Sequence, residues 1–148
     1  MLALAFRAGD LRLALPTAAV IKVLTRRALR PLALAPEGVI GLLPFRGTLT
    51  PVVDLCRLLL GRDCAPLRSS RIVVVALPAP SGQRLLGLLA EDVLDLLPVA
   101  ATVPGLRLPD VPWLGEYVAD QPDLPQLLDP AALLPERLEA LFVSEAGS

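Results

Sequence analysis

The sequence predicts a mainly β fold, arranged as all-β barrels or as a β-sandwich. About nine short apolar runs have the length of strands, and several alternate apolar and polar residues. The 10 glycines and 16 prolines separate these runs, and few segments carry helix signals. A chain of 148 residues could therefore hold two five-stranded barrels of about 70 residues each.

The N-terminal residues predict a β-hairpin. Apolar side chains recur at every second position in residues 2–6 and 11–15, and a short connection containing Gly9 joins the two runs. Residues 17–24 stay open between a helical turn capped by Thr17 and a strand, because several of them are β-branched.

A second hairpin is predicted after a short strand at 29–34. Residues 39–43 and 48–54 flank the segment Pro44-Phe45-Arg46-Gly47, so that Arg46 lies at the tip and Gly47 takes a positive φ. The following residues, 55–60, predict a short helix that ends at Gly61.

The second half of the chain predicts further strands at 71–77, 84–90, 93–97, 113–118 and 126–128. Gly87 argues against a helix at 84–90. Asp129 and Pro130 are typical of a helix start, which places a C-terminal helix at 130–143 and a frayed tail at 144–148. We expect one domain over 1–143, with a first lobe at about 1–66 and a second at about 67–134.

Composition excludes several classes of function. The chain has no His, which removes His-based general bases, nucleophile pairs and metal ligands. A net charge of −1 and few aromatic residues argue against nucleic-acid binding. Cys56 and Cys64 are interpreted as two free buried thiols in a reducing cytoplasm, and we expect no metal and no cofactor.

Membrane insertion and secretion are not expected. The longest run without charge, residues 72–83, is shorter than a spanning helix and contains prolines. The N-terminus lacks the basic region and long apolar core of a signal peptide. A cytoplasmic protein is therefore predicted.

Two charged clusters are candidate sites. Glu91, Asp92 and Asp95 could supply carboxylates to a small hydrolase acting through Glu91 and Asp95, although adjacent strand residues face opposite sides. The basic residues Lys22, Arg26, Arg27 and Arg30 are interpreted as a solvated face. Arg46 is the more informative residue, because a hairpin tip presents its planar donors to a partner's carboxylates or carbonyls.

An ordered set of motifs resembles the CheW family of chemotaxis coupling proteins. It comprises FRAGDLRLALP at 6–16, GLLPFRGTLTPVVDL at 41–55, RIVVV at 71–75, GLLAEDVL at 87–94 and LLDPAALL at 127–134. The resemblance implies two intertwined five-stranded SH3-like barrels with short helices and no enzymatic activity. The implied function is an adaptor between the cytoplasmic tip of a methyl-accepting chemoreceptor and the regulatory domain of a CheA-type histidine kinase.

The resemblance also implies a partner-binding site. Arg46 and Gly47 match the family's Arg-Gly tip, while Val52 and Val53, before Asp54, match positions beside the groove between the barrels. That groove takes the receptor's helical hairpin in the family, and ring-like arrays at the membrane are a further implication.

Departures from the family pattern concentrate at the tip. The family usually has Asn-Leu where Pro44 and Phe45 stand, so we expect a reshaped turn and a new apolar contact at Phe45. Glu91 stands at a position where the family favours Asp. These features resemble WspB-type couplers of surface-sensing systems. A stand-alone kinase regulatory domain is the alternative within the resemblance, and the start at Met1 without a linker favours a separate adaptor.

Overall fold

One long strand organises the fold. The computed structural model describes residues 1–79, 82–105 and 112–133. The strands are β1 (Leu2–Ala8), β2 (Leu11–Pro16), β3 (Val20–Thr25), β4 (Val39–Phe45), β5 (Thr48–Asp54), β6 (Arg71–Ala79), β7 (Gly82–Pro98), β8 (Thr102–Val103), β9 (Leu114–Val118) and β10 (Gln126–Leu128). The helix α1 spans Leu55–Leu60, and 3₁₀ turns span Thr17–Ala19 and Pro130–Leu133.

The strands form two sheets that share β7. In sheet A, the C-terminal part of β7 pairs with β1, and the order continues through β2, β10, β9 and β8. In sheet B, the N-terminal part of β7 lies between β6 and β5, with β3 beside β6 and β4 beside β5. An isolated bridge between Arg30 and Leu42 connects the chain after β3 to β4 and so links the two edges of sheet B. The mainly β fold is confirmed.

The strand β7 turns a corner between the sheets. Its last pair with β6 joins Ala90 to Arg71, and its pairing with β1 begins at Glu91 opposite Arg7. Asp92 takes a φ of 47°, and the register with β1 shifts at this point. The two strands predicted at 84–90 and 93–97 are therefore one continuous strand with a bulge, which bends it from one sheet into the other.

The sheets interleave along the sequence. The N-terminal hairpin β1–β2 pairs with β7 and β10, whereas β5 pairs in parallel with the other half of β7. Each sheet draws strands from both sides of residue 66, so the proposed lobes 1–66 and 67–134 do not coincide with the sheets. The predicted helix beyond residue 133 and the tail at 144–148 lie outside the described residues.

Some predictions for individual elements are confirmed and others are wrong. The strand predicted at 29–34 is wrong, because this segment contributes only the bridge at Arg30. Residues 17–24 divide into a 3₁₀ turn and β3. The helix at 55–60 is confirmed, and Gly61 ends it with a φ of 71°. The short strand β8 was not predicted.

One hydrophobic cluster fills the space between the sheets. It joins Phe6 and Leu13 of sheet A to Val52, Val74 and Leu88 of sheet B. Gly87 is required by this packing, since a Cβ there would lie 2.9 Å from Val52 Cγ2.

Among the described residues, no helix is long and apolar enough to cross a membrane.

Candidate functional site

Arg46 lies at the tip of a tight hairpin. The strands β4 and β5 extend to Phe45 and Thr48, so the predicted four-residue connection is a two-residue turn. Arg46 and Gly47 have φ values of 50° and 78°, which is typical of a type I′ turn. The positive φ predicted at Gly47 is confirmed, whereas that of Arg46 was not predicted and costs about 1 kcal/mol for a residue with a Cβ.

The neighbouring aromatic ring orders the arginine. Arg46 Cζ lies 4.9 Å from the centroid of the half-buried Phe45 ring, within the range of a cation–π contact. Pro44 pairs with the exposed Leu49 across the hairpin, and β4 tolerates this proline because it lies at an edge of sheet B. We call the residues Pro44, Phe45, Arg46, Gly47 and Leu49 the tip patch.

Three of the predicted partner-binding residues lie in the interior. Val52 and Val53 are fully buried, and Asp54 is 1 % exposed. Both edges of β5 are paired, with β4 and β7, and Val52 and Val53 both belong to the hydrophobic cluster. The prediction of a partner contact is corrected for these three side chains, which support the hairpin from within the core.

Asp54 instead organises the segment around α1. Its Oδ1 accepts hydrogen bonds from the N–H groups of Cys56 (2.9 Å) and Arg57 (3.2 Å), and its Oδ2 accepts one from Cys64 (2.8 Å). The carboxylate therefore caps the helix and fixes the loop that follows it. These three N–H donors explain how a carboxylate is accommodated in the interior.

The ligand atoms of Asp54, Cys56 and Cys64 lie within 4.8 Å of one another. Burial raises the pKa of the Cys56 thiol to about 11, with further contributions from Glu91 and Asp54. Burial also raises the pKa of the Cys64 thiol. Both thiols are protonated at neutral pH, and the oxygens of Asp54 already accept three N–H groups, so this cluster is arranged for packing and capping.

Glu91 is a second buried carboxylate with assigned partners. Its side chain accepts from Gly9 N (2.7 Å), Ala65 N (2.6 Å) and Arg62 Nη1 (3.4 Å). Burial alone would raise the pKa of Glu91, but the hydrogen bonds from Ala65, Gly9 and Arg62 outweigh it and lower that pKa. A low pKa is opposite to that of a general acid, and Asp95 is exposed further along β7. The arrangement does not support the alternative of a hydrolase at Glu91 and Asp95.

An apolar groove of about 510 Å³ lies between the two sheets. Pro16, Leu127 and Leu128 of sheet A line it, together with Ala76, Leu77 and Pro78 of sheet B, Met1, Ala19, Gly115 and the 129–131 segment. None of these residues was predicted as a site residue. They come from distant parts of the chain, and no local pattern connects them.

The groove and the tip patch lie at the same end of sheet B. The parallel register places Val52 opposite Gly87, so β5 begins beside the start of β7. The end of β6 pairs there as well, with Leu77 opposite Arg84.

A second pocket, of about 500 Å³, lies beside α1 and is charged. Its arginines have partners within the chain. Arg26 donates to the carbonyl of Cys64, and Arg57 lies 2.7 Å from Asp63. The apolar groove is thus better suited to a macromolecular partner.

Comparison with known proteins agrees with the fold. A family model described as the CheW-like domain matches residues 2–137. Protein FrzA from Myxococcus xanthus is 36 % identical over 101 residues, which cover 67 % of this chain and 61 % of FrzA. The chain thus matches about three fifths of that relative.

A solved structure is also similar. The scaffolding protein TtCheW from Thermoanaerobacter tengcongensis superposes with a TM-score of 0.79 at 17 % identity, over 90 % of this chain and 87 % of TtCheW. The family match covers nearly the whole chain, and the similarity to TtCheW extends to the fold. The chain belongs to the CheW-like domain family.

Proposed function

We propose that the chain is a non-enzymatic adaptor that couples methyl-accepting chemoreceptors to a CheA-type histidine kinase. Its mechanism is geometric: one rigid body holds both partners in a fixed register, so that motion of the receptor shifts the kinase between active and inactive populations. Membership of the CheW-like domain family supports this function. Cytoplasmic localisation beside membrane receptor arrays follows from the same proposal, and assignment to the WspB-type subgroup stays a prediction.

The observation that carries the proposal is the apolar groove, which lies at the same end of sheet B as the tip patch. The groove suits an amphipathic helical partner, because its lining is apolar and its two walls come from different sheets. Arg46 is exposed and held over Phe45, and within the described residues no carboxylate forms a salt bridge with it. We assign the receptor's helical hairpin to the groove, with an acidic or carbonyl group facing Arg46.

The kinase's regulatory domain is assigned to one of the two barrels, away from the groove. This arrangement leaves each partner its own surface, so that binding of one does not displace the other.

A paired binding experiment tests the proposal. The wild-type chain and the variants R46E and R68E are immobilised and exposed to a lysate of the source organism. Arg68 is an exposed arginine in the loop before β6, so R68E makes the same charge change away from the tip. We expect the wild type and R68E to recover a histidine kinase and a chemoreceptor, and R46E to recover about tenfold less receptor.

Two results would contradict parts of the proposal. Failure of the wild-type chain to recover either partner would remove the adaptor function. Equal recovery of receptor by wild type and R46E would keep the adaptor and exclude Arg46 from its interface.

A further inference from the structure

A single buried carboxylate joins the two sheets at the corner of β7. Glu91 is 4 % exposed, and its Oε1 accepts from the N–H of Gly9 in the turn of the β1–β2 hairpin of sheet A. Its Oε2 accepts from Ala65 N and Arg62 Nη1, both in the connection that leads from α1 to β6 of sheet B. The two oxygens of one side chain therefore bond to elements of different sheets.

The strand geometry at this corner needs such a connection. Between Ala5 and Arg7 the register of β1 against β7 shifts, and Asp92 has a positive φ. A bulge interrupts the ladder of backbone hydrogen bonds and allows the strand to bend. The bonds around Glu91 lie next to this bulge.

The β1–β2 hairpin extends from Glu91 to the groove. Its turn at Gly9 contacts Glu91, whereas its other end supplies Met1 and Pro16 to the groove lining. Seven residues of β1 correspond to roughly 23 Å. A small rotation of the hairpin about Gly9 therefore produces a larger displacement of its other end, at the groove. The opposite wall of the groove belongs to β6.

We propose that Glu91 is a positioning residue that sets the angle between the two sheets, and through it the width of the groove. This inference rests on the proposed function for its consequence, since the groove is where we place the receptor. The effect of Glu91 on the angle between the sheets does not depend on any partner.

The variant E91Q tests the inference. Glutamine has one carbonyl oxygen, which can accept from Gly9 or from Ala65, while its amide N–H₂ faces the other donor. The matched control is D95N, which makes the same chemical change at an exposed carboxylate on the same strand. R62A removes the longest of the three hydrogen bonds to Glu91, together with the bond from Arg62 to the Asp63 carbonyl, and serves as a milder second variant if E91Q does not fold.

The angle is measured as a distance between two spin labels. Cysteines introduced as K22C on β3 and T102C on β8 lie at exposed sites at opposite ends of the strand order. The native cysteines are buried, and a sample without the introduced residues controls for their labelling. We expect a shifted or broadened distance distribution for E91Q, a smaller change for R62A, and no change for D95N.

Binding of the two partners is measured in parallel. We expect E91Q to weaken binding of a purified receptor tip about tenfold and to leave binding of the kinase regulatory domain within about twofold. An unchanged distance distribution in folded E91Q would overturn the positioning role. If the wild-type chain binds no receptor tip, the proposed function fails, while the distance measurement still decides the structural inference.

Discussion

The guanidinium of Arg46 lies over the ring of Phe45, with Cζ 4.9 Å from the ring centroid. An exposed arginine samples many rotamers, and ordering it at an interface costs about 0.5–1.5 kcal/mol. The contact with Phe45 reduces this cost, because the side chain is already held in one direction. The departure from the family's Asn-Leu thus has a structural consequence at the tip.

Replacement of Phe45 tests that relationship. We expect F45A to weaken receptor binding by about threefold to tenfold, with a loss in the free energy of unfolding of about 1 kcal/mol, because the ring is only half-buried. F45L retains apolar volume without the ring and serves as the control for packing. Isothermal titration with a receptor tip measures the effect, and equal affinities for F45A and wild type would exclude the ordering role.

Asp54 should be among the most sensitive positions for stability. D54A removes the acceptor of three N–H groups in the interior, and we expect a loss of about 2–4 kcal/mol in the free energy of unfolding. Urea denaturation followed by circular dichroism measures it. D120A, at an exposed turn whose carboxylate accepts only long bonds at 3.4 Å, should change the same quantity by less than about 1 kcal/mol. A loss at D54A no larger than that at D120A would show that the capping bonds contribute little.

Glu91 predicts a pH dependence of stability. The pKa of Glu91 is lower in the folded chain than in the unfolded chain, so the carboxylate stabilises the fold at pH values above about 4.3. That contribution is lost as the pH falls from about 4.3 through the lowered pKa. The charged or titratable groups that interact with it are Arg62, Cys56 and Cys64.

Denaturation at several pH values between 3 and 7 checks this dependence. E91Q should be less stable than wild type at pH 7, and the difference should shrink as the pH falls. D95N provides the comparison for the exposed carboxylates. A constant difference between E91Q and wild type across this range would contradict the assignment.

The two thiols should be unreactive in the folded protein. Both are protonated at neutral pH, and both side chains are buried. We expect Ellman's reagent at pH 8 to modify neither cysteine before unfolding and both after addition of denaturant. Rapid modification under native conditions would show that the segment from α1 to β6 opens readily.

Alkaline conditions provide a second check on the same pair. In the unfolded chain the thiols ionise near pH 8.5, whereas the raised pKa values keep them protonated in the fold. Stability should therefore decrease as the pH rises above about 8.5. The double variant C56A/C64A should lack this part of the decrease.

Much of the fold follows from local patterns in the sequence. Alternating residues on either side of Gly9 predicted the first hairpin, and the Arg46-Gly47 dipeptide predicted the second tip. The position of Gly61 after the apolar run at 55–60 predicted α1. In each case the determining interactions lie within a few residues along the chain.

The features that were missed depend on distant residues. Val52 and Val53 are both buried because both pack in the hydrophobic cluster, whose other members come from distant strands, and no alternation within β5 shows this. The bend at Asp92 arises where β7 changes partners, so the local pattern predicted two separate strands. The groove combines Pro16, Leu77 and Leu128, and Glu91 gains its role from Gly9 and Ala65, which lie far apart in sequence.

Sedimentation with receptor-containing membranes measures whether the chain bridges two partners. Purified kinase is mixed with these membranes, with and without the chain, and the kinase in the pellet is quantified. We expect the wild-type chain and R68E to carry the kinase into the pellet, and R46E to carry markedly less. Equal recovery of kinase with and without the wild-type chain would contradict its function as an adaptor.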